Sequence, residues 1–348
     1  MAIRKDLYAN IPNVSGIENI NISESYGQTS SVATITCTET NLVLNSPITI
    51  NCGYIDNHQP MFSGRVKNVT RSRAEGTIKL TCRDILIDAS DMFLVADDPE
   101  SPWSRSNIFA QDLVGDLLAE AQITNYYPNV PMSFTYGLNA PAEFNLVSVM
   151  DAIGQITRTL VWHVYADPTY VHFTDIKPYY RTGTQKNTEY GTSGHSDDTI
   201  SHCITAGTLL SIPSSGLSPK PIIETIDYVY SDEQLRNKVK VFGRDNLMEE
   251  ASETSPYLPS EFYKTAVIAS PLIDSNDMAS KAAWFNLRLY NRLTESLNIQ
   301  CLGDSTIHAR QFVEVIEAKT GVSGYWFVET ANHVLGSDGY SLRLSLTK

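Results

Sequence analysis

Gly194-His195-Ser196-Asp197-Asp198, with His202 and Cys203 shortly after, gathers the densest set of groups able to ligate a metal or to act as a nucleophile with its base. The spacing matches neither the H-E-x-x-H helix pattern nor paired C-x-x-C, so the stretch reads as a solvated polar loop. The adjacent acids Asp97-Asp98 and Glu249-Glu250 are the residue types that glycoside hydrolysis needs, one as acid and one as base or nucleophile. Both lie in Pro- and Ser-bearing links, where carboxylates stay hydrated and mark boundaries. The sequence holds no G-x-S-x-G, no phosphate-cradling Gly-rich loop and no dinucleotide fingerprint. The expectation is therefore no catalytic, cofactor-binding or metal site, no cofactor and no enzymatic activity.

Trp103, Trp162, Trp284 and Trp326, together with 18 tyrosines, could stack on sugars. The same residue types fill cores and subunit interfaces, which is the role expected of them. Cys37, Cys52, Cys82, Cys203 and Cys301 are odd in number and widely spaced, and all but Cys203 sit in apolar runs, as reduced core thiols do. Asn68-Val69-Thr70 matches a glycosylation acceptor, but the opening Met1 to Asp6 has no apolar signal core to give it meaning.

Charge narrows the partners. Against 26 basic residues stand 39 acidic ones, a formal net charge of -13, which repels a phosphate backbone. No run reaches the ~18 apolar residues of a membrane span. With 348 residues, 42% of them hydrophobic and 19% charged, the chain is long enough for two or more cores.

The elements that must position these residues begin with short β runs at Ile17 to Ser23, Ser31 to Thr38, Ile48 to Tyr54, Phe62 to Thr70 and Thr77 to Arg83. Period-two alternation is plain in Ala33-Thr34-Ile35-Thr36-Cys37 and Ile78-Lys79-Leu80-Thr81-Cys82. A break follows at Asp97-Asp98-Pro99-Glu100-Ser101-Pro102. Next come a helix at Ile108 to Ala121 capped by Ser106, a second at Asn145 to Thr157, and strands Leu160 to Tyr165 and Tyr170 to Phe173 about the turn Ala166-Asp167-Pro168-Thr169. Residues 180–220 read as a long polar loop with a short apolar stretch at Leu209 to Ile212. Strands are expected again at Ile222 to Tyr230 and Val239 to Gly243, then an acidic link from Glu249 to Glu261 and a helix at Met278 to Leu293. The chain closes on strands Leu297 to Leu302, Phe312 to Ile316, Tyr325 to Ala331 and Ser341 to Leu346.

One echo links the two ends. Met61-Phe62-Ser63-Gly64-Arg65-Val66, a turn, then Gly76-Thr77-Ile78-Lys79-Leu80 matches Tyr325-Trp326-Phe327-Val328-Glu329-Thr330, a turn, then Gly339-Tyr340-Ser341-Leu342-Arg343. Each is a long hairpin with an aromatic near its start and Gly before the return strand, which implies two related β domains.

The order of these segments resembles a known family. Ile48 to Asp56, Met61 to Val66 and Leu80 to Asp84 are similar to the N-terminal β domain of contractile-tail baseplate hubs: phage late control protein D, the Mu-like tail hub and the hub part of type VI spike proteins. Trp162 to Asp167 with Tyr170 to Phe173, and Gly324 to Glu329 with His333 and Tyr340 to Leu344, extend the likeness to most of the chain. Where family members often carry a Pro-Gly turn before the strand at Phe312, this chain has His308-Ala309-Arg310-Gln311. It ends at Lys348 directly after the closing hairpin, so no fused lysozyme or needle-like spike is expected.

The resemblance implies a mainly β fold with α+β insertions: two related β-barrel-like tube domains plus a small inserted α+β domain. The boundaries expected are 1–95 for the first barrel, 96–182 for the insert, 183–247 for the polar loop and returning strands, and 248–348 for a helix plus the second barrel. It also implies a structural role, a homotrimer seated between a hexameric tail tube and a trimeric spike in the virion tail baseplate, assembled in the bacterial cytoplasm. Baseplate wedge and tape-measure proteins are further expected neighbours, and DNA would pass the lumen without specific binding. The other reading weighed is a β-rich, tail-associated protein that binds or cleaves glycan.

Overall fold

The computed structural model describes residues 6–26, 30–95, 102–129, 134–175, 200–205, 219–291, 294–317 and 319–347. The 97–102 break, the Gly194 to Asp198 stretch and the Leu209 to Ile212 stretch fall wholly or mostly outside them.

Alternation becomes strand as expected: Ala33, Ile35 and Cys37 are fully buried while Thr34 and Thr36 stay half-covered. The first β unit comprises β1 (Leu7–Asn10), β2 (Val14–Ser25), β3 (Val32–Thr40), β4 (Pro47–Tyr54), β5 (Asn57–Ser72) and β6 (Thr77–Asp84). They lie in the order β1-β4-β5-β6-β3-β2 around Ile20, Ile22, Ile35, Ile50, Leu80 and their neighbours.

A helical excursion follows: α1 (Leu86–Asp91), β7 (Phe93–Leu94), β8 (Trp103–Arg105), β9 (Ile108–Phe109), α2 (Ala110–Glu120), β10 (Tyr126–Asn129), β11 (Thr135–Tyr136), β12 (Ala142–Phe144), β13 (Val147–Ser148), α3 (Val149–Leu160), β14 (Trp162–Ala166) and β15 (Val171–Asp175). The chain then runs through β16 (Ile200–Thr205), β17 (Pro219–Ser231), β18 (Lys238–Phe242), β19 (Met248–Ser252), β20 (Thr265–Ala269), α4 (Asn276–Tyr290), β21 (Thr294–Leu302), β22 (Phe312–Glu317), β23 (Val322–Gly336) and β24 (Gly339–Thr347). Strands β22, β23, β24, β21, β17 and β16 pair in a closed ring, a barrel filled by Leu297, Ile299, Val313, Trp326, Leu342 and Leu344. The fold is thus mainly β with helical insertions.

The internal echo runs deeper than one hairpin. Five strands of each unit follow the same path: β2-β3-β6-β5-β4 in the first, β17-β21-β24-β23-β22 in the second. Their registers coincide. Val32 faces Arg83 and Cys37 faces Ile78, as Ser296 faces Thr347 and Cys301 faces Leu342. Both bulges recur, between Ile17 and Asn19 as between Ile223 and Thr225, and between Val66 and Asn68 as between Val328 and Thr330. In each unit a buried thiol points at the carbonyl 41 residues on, Cys37 Sγ to Ile78 O at 3.6 Å and Cys301 Sγ to Leu342 O at 3.5 Å. Burial pushes the Cys52, Cys82 and Cys301 thiols up to about 12, as inert core thiols require. The ladders correct one detail. The sequence reading set Phe62 against Trp326, whereas Gly64 stands there, because the bulges and not the aromatics fix the frame.

Two boundaries move as well. Strands β16 and β17, placed in a separate segment 183–247, are staves of the second barrel. Met278, Ala282 and Leu287 of α4 share a core with α2 and α3, so α4 packs with the inserted helices and not with the second β unit. The excursion between β17 and β21 thereby joins the one between β6 and β16 in a single layer, and the β units stay alike because the extra chain leaves between strands.

Helix ends differ from expectation for local reasons. Ser106 does not cap α2: Ile108 and Phe109 pair with Tyr136 and Thr135, so Phe109 stands at the N-cap with no side-chain bond. Helix α3 starts at a true cap, Ser148 Oγ accepting from Asp151 N at 3.0 Å and donating to Asp151 Oδ2 at 2.8 Å. Ser148→Ala should lower the unfolding free energy by about 1 kcal/mol in urea titration, with the m-value unchanged.

Candidate assembly interface

The two β units are welded by one antiparallel seam. Strand β2 lies on β23 from Ile20 opposite Leu335 to Ser25 opposite Thr330, and Tyr26 N extends it to Glu329 O at 2.6 Å. Ser25 Oγ and Thr330 Oγ1 meet at 3.2 Å.

Alternation along β2 turns Ile20, Ile22 and then Glu24 inward, so the strand delivers a carboxylate to a buried position. Such a charge must be paired. The turn that leads into β22 supplies the partners: His308 Nδ1 donates to Glu24 Oε1 at 3.0 Å, the Ala309 N–H to Oε2 at 3.2 Å, and the Arg310 guanidinium stands 3.8 Å from Oε2. Gln59 of β5 donates to His308 Nε2 at 2.8 Å and also reaches the Ser305 carbonyl, and Ser305 Oγ donates to Asn57 O. Arg310 lies flat over Tyr165 of β14, 4.1 Å from the ring centroid. One short turn therefore fastens the second β unit to both the first unit and the inserted layer.

Burial raises the Glu24 pKa, but the His308 hydrogen bond and the charges of His308, Arg310 and His333 together outweigh it and hold the carboxyl at about 2. His333 lies wholly buried beneath the seam, with Nδ1 2.7 Å from Tyr340 Oη, and burial holds it down at about 4. His163 is lower still, at about 3, through burial and then the Arg310 charge; neither of its ring nitrogens has a hydrogen-bond partner. Glu24, His308 and His333 bring ligand atoms within 4.8 Å of one another. Arg310 already supplies positive charge to this carboxylate and His308 a hydrogen bond, and a divalent cation there would be repelled by the guanidinium.

The residues singled out in the sequence go elsewhere. Glu249 and Glu250 belong to β19, an unexpected strand, so the pair points to opposite faces, and Glu250 meets Lys238 at 3.0 Å. His202 and Cys203 lie on β16, and Asp97-Asp98 lie outside the described residues. Trp162 and Trp326 are core residues, Trp284 packs partly buried on the helical core, and Trp103 donates Nε1 to Glu120 at 2.8 Å. Glu24 and the roles of His308, Arg310 and His333 were not foreseen; the one available signal was a charge at the inward beat of Ile20-x-Ile22-x-Glu24.

The YQBQ-like family matches residues 272–347, and no curated protein matches the chain. Among solved structures, a tail protein from Neisseria meningitidis MC58 is similar over 99% of this chain and 97% of its own, at 13% identity and TM-score 0.69. The 43 kDa tail protein of prophage MuSo2 from Shewanella oneidensis is similar over 98% of both chains, at 11% identity and TM-score 0.65. A type VI secretion component of E. coli, described as similar to the T4 bacteriophage tail proteins gp27 and gp5, covers 97% of this chain and 76% of its own, at 8% identity and TM-score 0.57. The fold is therefore the one shared by these phage tail proteins and the type VI component.

Proposed function

We propose that this chain is a structural hub of a phage-tail baseplate or related injection machine, a homotrimeric adaptor between a hexameric tail tube and a trimeric spike. The observation that carries the reading is the register-matched pair of β units. Three copies place six near-equivalent units about one axis, enough to meet a six-fold tube, while the chain itself repeats only three times. The helical layer, leaving the two units at different strands, supplies the threefold difference that a trimeric spike can read.

The mechanism is assembly and load transfer. A continuous twelve-stranded sheet and the buried Glu24 junction make each copy a stiff two-unit brace. The formal charge of -13 suits a lumen past which DNA slides without specific binding. Wedge and tape-measure proteins are the further neighbours of this ring in the virion tail, after assembly in the bacterial cytoplasm.

Light scattering on the purified chain tests this reading. A mass three times 38.6 kDa, and a stable complex with a co-expressed trimeric spike protein, are the expected results. A monomer that hydrolyses cell-wall glycan would overturn it.

A further inference from the structure

The seam inside each copy has an unfilled counterpart. Because the units share one register, β17 stands in the second unit where β2 stands in the first, and β5 stands where β23 does. Within the chain, the first unit's β2 is covered by the second unit's β23. The reciprocal edges are open. β16 reaches β17 only at Pro219 and Ile222, and β4 reaches β5 only as far as Arg65, so among the described residues no strand covers the outer edge of 225–231 or of 68–72.

We propose that these two edges join between copies: residues 227–231 of one chain add antiparallel to 68–72 of the next, in the register that β2 keeps on β23. This rests on the trimer reading above and gives it a residue-level contact. Superposing the two units sets Asp227 opposite Ser72, Tyr228 opposite Arg71, Val229 opposite Thr70, Tyr230 opposite Val69 and Ser231 opposite Asn68.

Three observations support it. The edge of β17 is apolar and bare, with Tyr228, Val229 and Tyr230 exposed by 41%, 53% and 68%, which on an uncovered strand invites uncontrolled pairing. Charges complement, Arg71 and Arg73 on or beside β5 against Asp227 and Glu233 on or beside β17, while Lys67 and Asp232 are already paired within the copy, with Asp91 and Lys264. The polar detail of the internal seam also has its match. Ser231 occupies the place of Ser25, with Asn68 where Thr330 meets it, and Asp232 occupies the place of Tyr26, whose N–H reaches Glu329 O. Such a contact is heterologous, each copy offering one edge of each kind, so it forms a ring when the rotation closes. Alternating internal and intermolecular seams would then close six units with three chains.

Cysteine pairing in the full chain tests the register. Thr70→Cys with Val229→Cys, both at exposed sites, should convert the 38.6 kDa band into bands of two and three times that mass under mild oxidation, reversed by reductant. Arg71→Cys with Val229→Cys, facing opposite sides of the joint, should give none. Amide exchange on the unmodified chain provides a readout independent of the substitutions: the alternate amides of 227–231 and 68–72 that face away from β21 and β6 should be protected in the trimer and unprotected after dilution to monomer. A trimer by mass in which Thr70 and Val229 do not cross-link and these amides exchange freely would overturn the seam and leave the adaptor reading standing. A chain that stays monomeric at every concentration would overturn both.

Discussion

Replacing Glu24 by glutamine should lower the unfolding free energy by about 3 to 5 kcal/mol at pH 7, the cost of removing one partner from a buried ion pair. The amide is nearly isosteric, so no cavity confuses the result. What changes is charge: Arg310, almost buried beneath Tyr165, and the Nδ1–H of His308 lose the anion that compensates them. The substitution should also change the acid response. Glu24 titrates at about 2 in the fold against 4.5 ordinarily, so its contribution is present above 4.5 and is lost as pH falls toward 2. Over that window the natural chain should lose about 3 kcal/mol more than Glu24→Gln does, at about 1.36 kcal/mol per pKa unit. Urea titrations of the two proteins at pH 7, 4.5 and 3 test both quantities, with about 2 kcal/mol of that difference already lost by pH 3. A loss under about 1 kcal/mol at pH 7 would show that the turn from Gly303 to Gln311 is held by its backbone contacts alone.

Much of the β architecture was legible because inward positions of a strand announce themselves. Ala33, Ile35 and Cys37, or Ile78, Leu80 and Cys82, need no tertiary knowledge to be read, and each expected strand of the first unit lies within or within one residue of an observed one. Strand β19 hid because only Ala251 of its five residues is buried, so Met248-Glu249-Glu250 reads as a hydrated link. Helix α3 ran past its expected end because the stop is Val161 in the left-handed region at φ 58, where a sequence reader looks for glycine. The turn before β22 repeats the lesson. Arg310 holds φ 73 without being glycine, the strain offset by its stack on Tyr165 and its approach to Glu24. The junction itself was invisible because Glu24 and His308 are 284 residues apart, and nothing local in either stretch names the other.

Acid should weaken the fold before the Glu24 contribution begins to fall, and two histidines set the range. His333 and His163 are held near 4 and 3 against an ordinary 6.5, so the fold keeps both neutral. Below 6.5 the unfolded chain binds two protons that the folded chain refuses, so stability present above that value is lost as pH falls. The loss approaches about 3 kcal/mol per pH unit between roughly 6 and 4, or about 6 kcal/mol in all, a large part of a typical domain's 5 to 15 kcal/mol. The seam concentrates the effect. Protonated His163 would set a second cation beside Arg310 and against Tyr26 at the end of β2. His163→Phe keeps the ring that stacks on Tyr165 and touches Tyr26 but cannot take the proton. Its unfolding free energy should therefore fall about half as steeply between pH 6 and 4 in urea titration. Equal slopes for the two proteins would mean that His163 reaches solvent before the chain unfolds, and that the acid response belongs to the carboxylates.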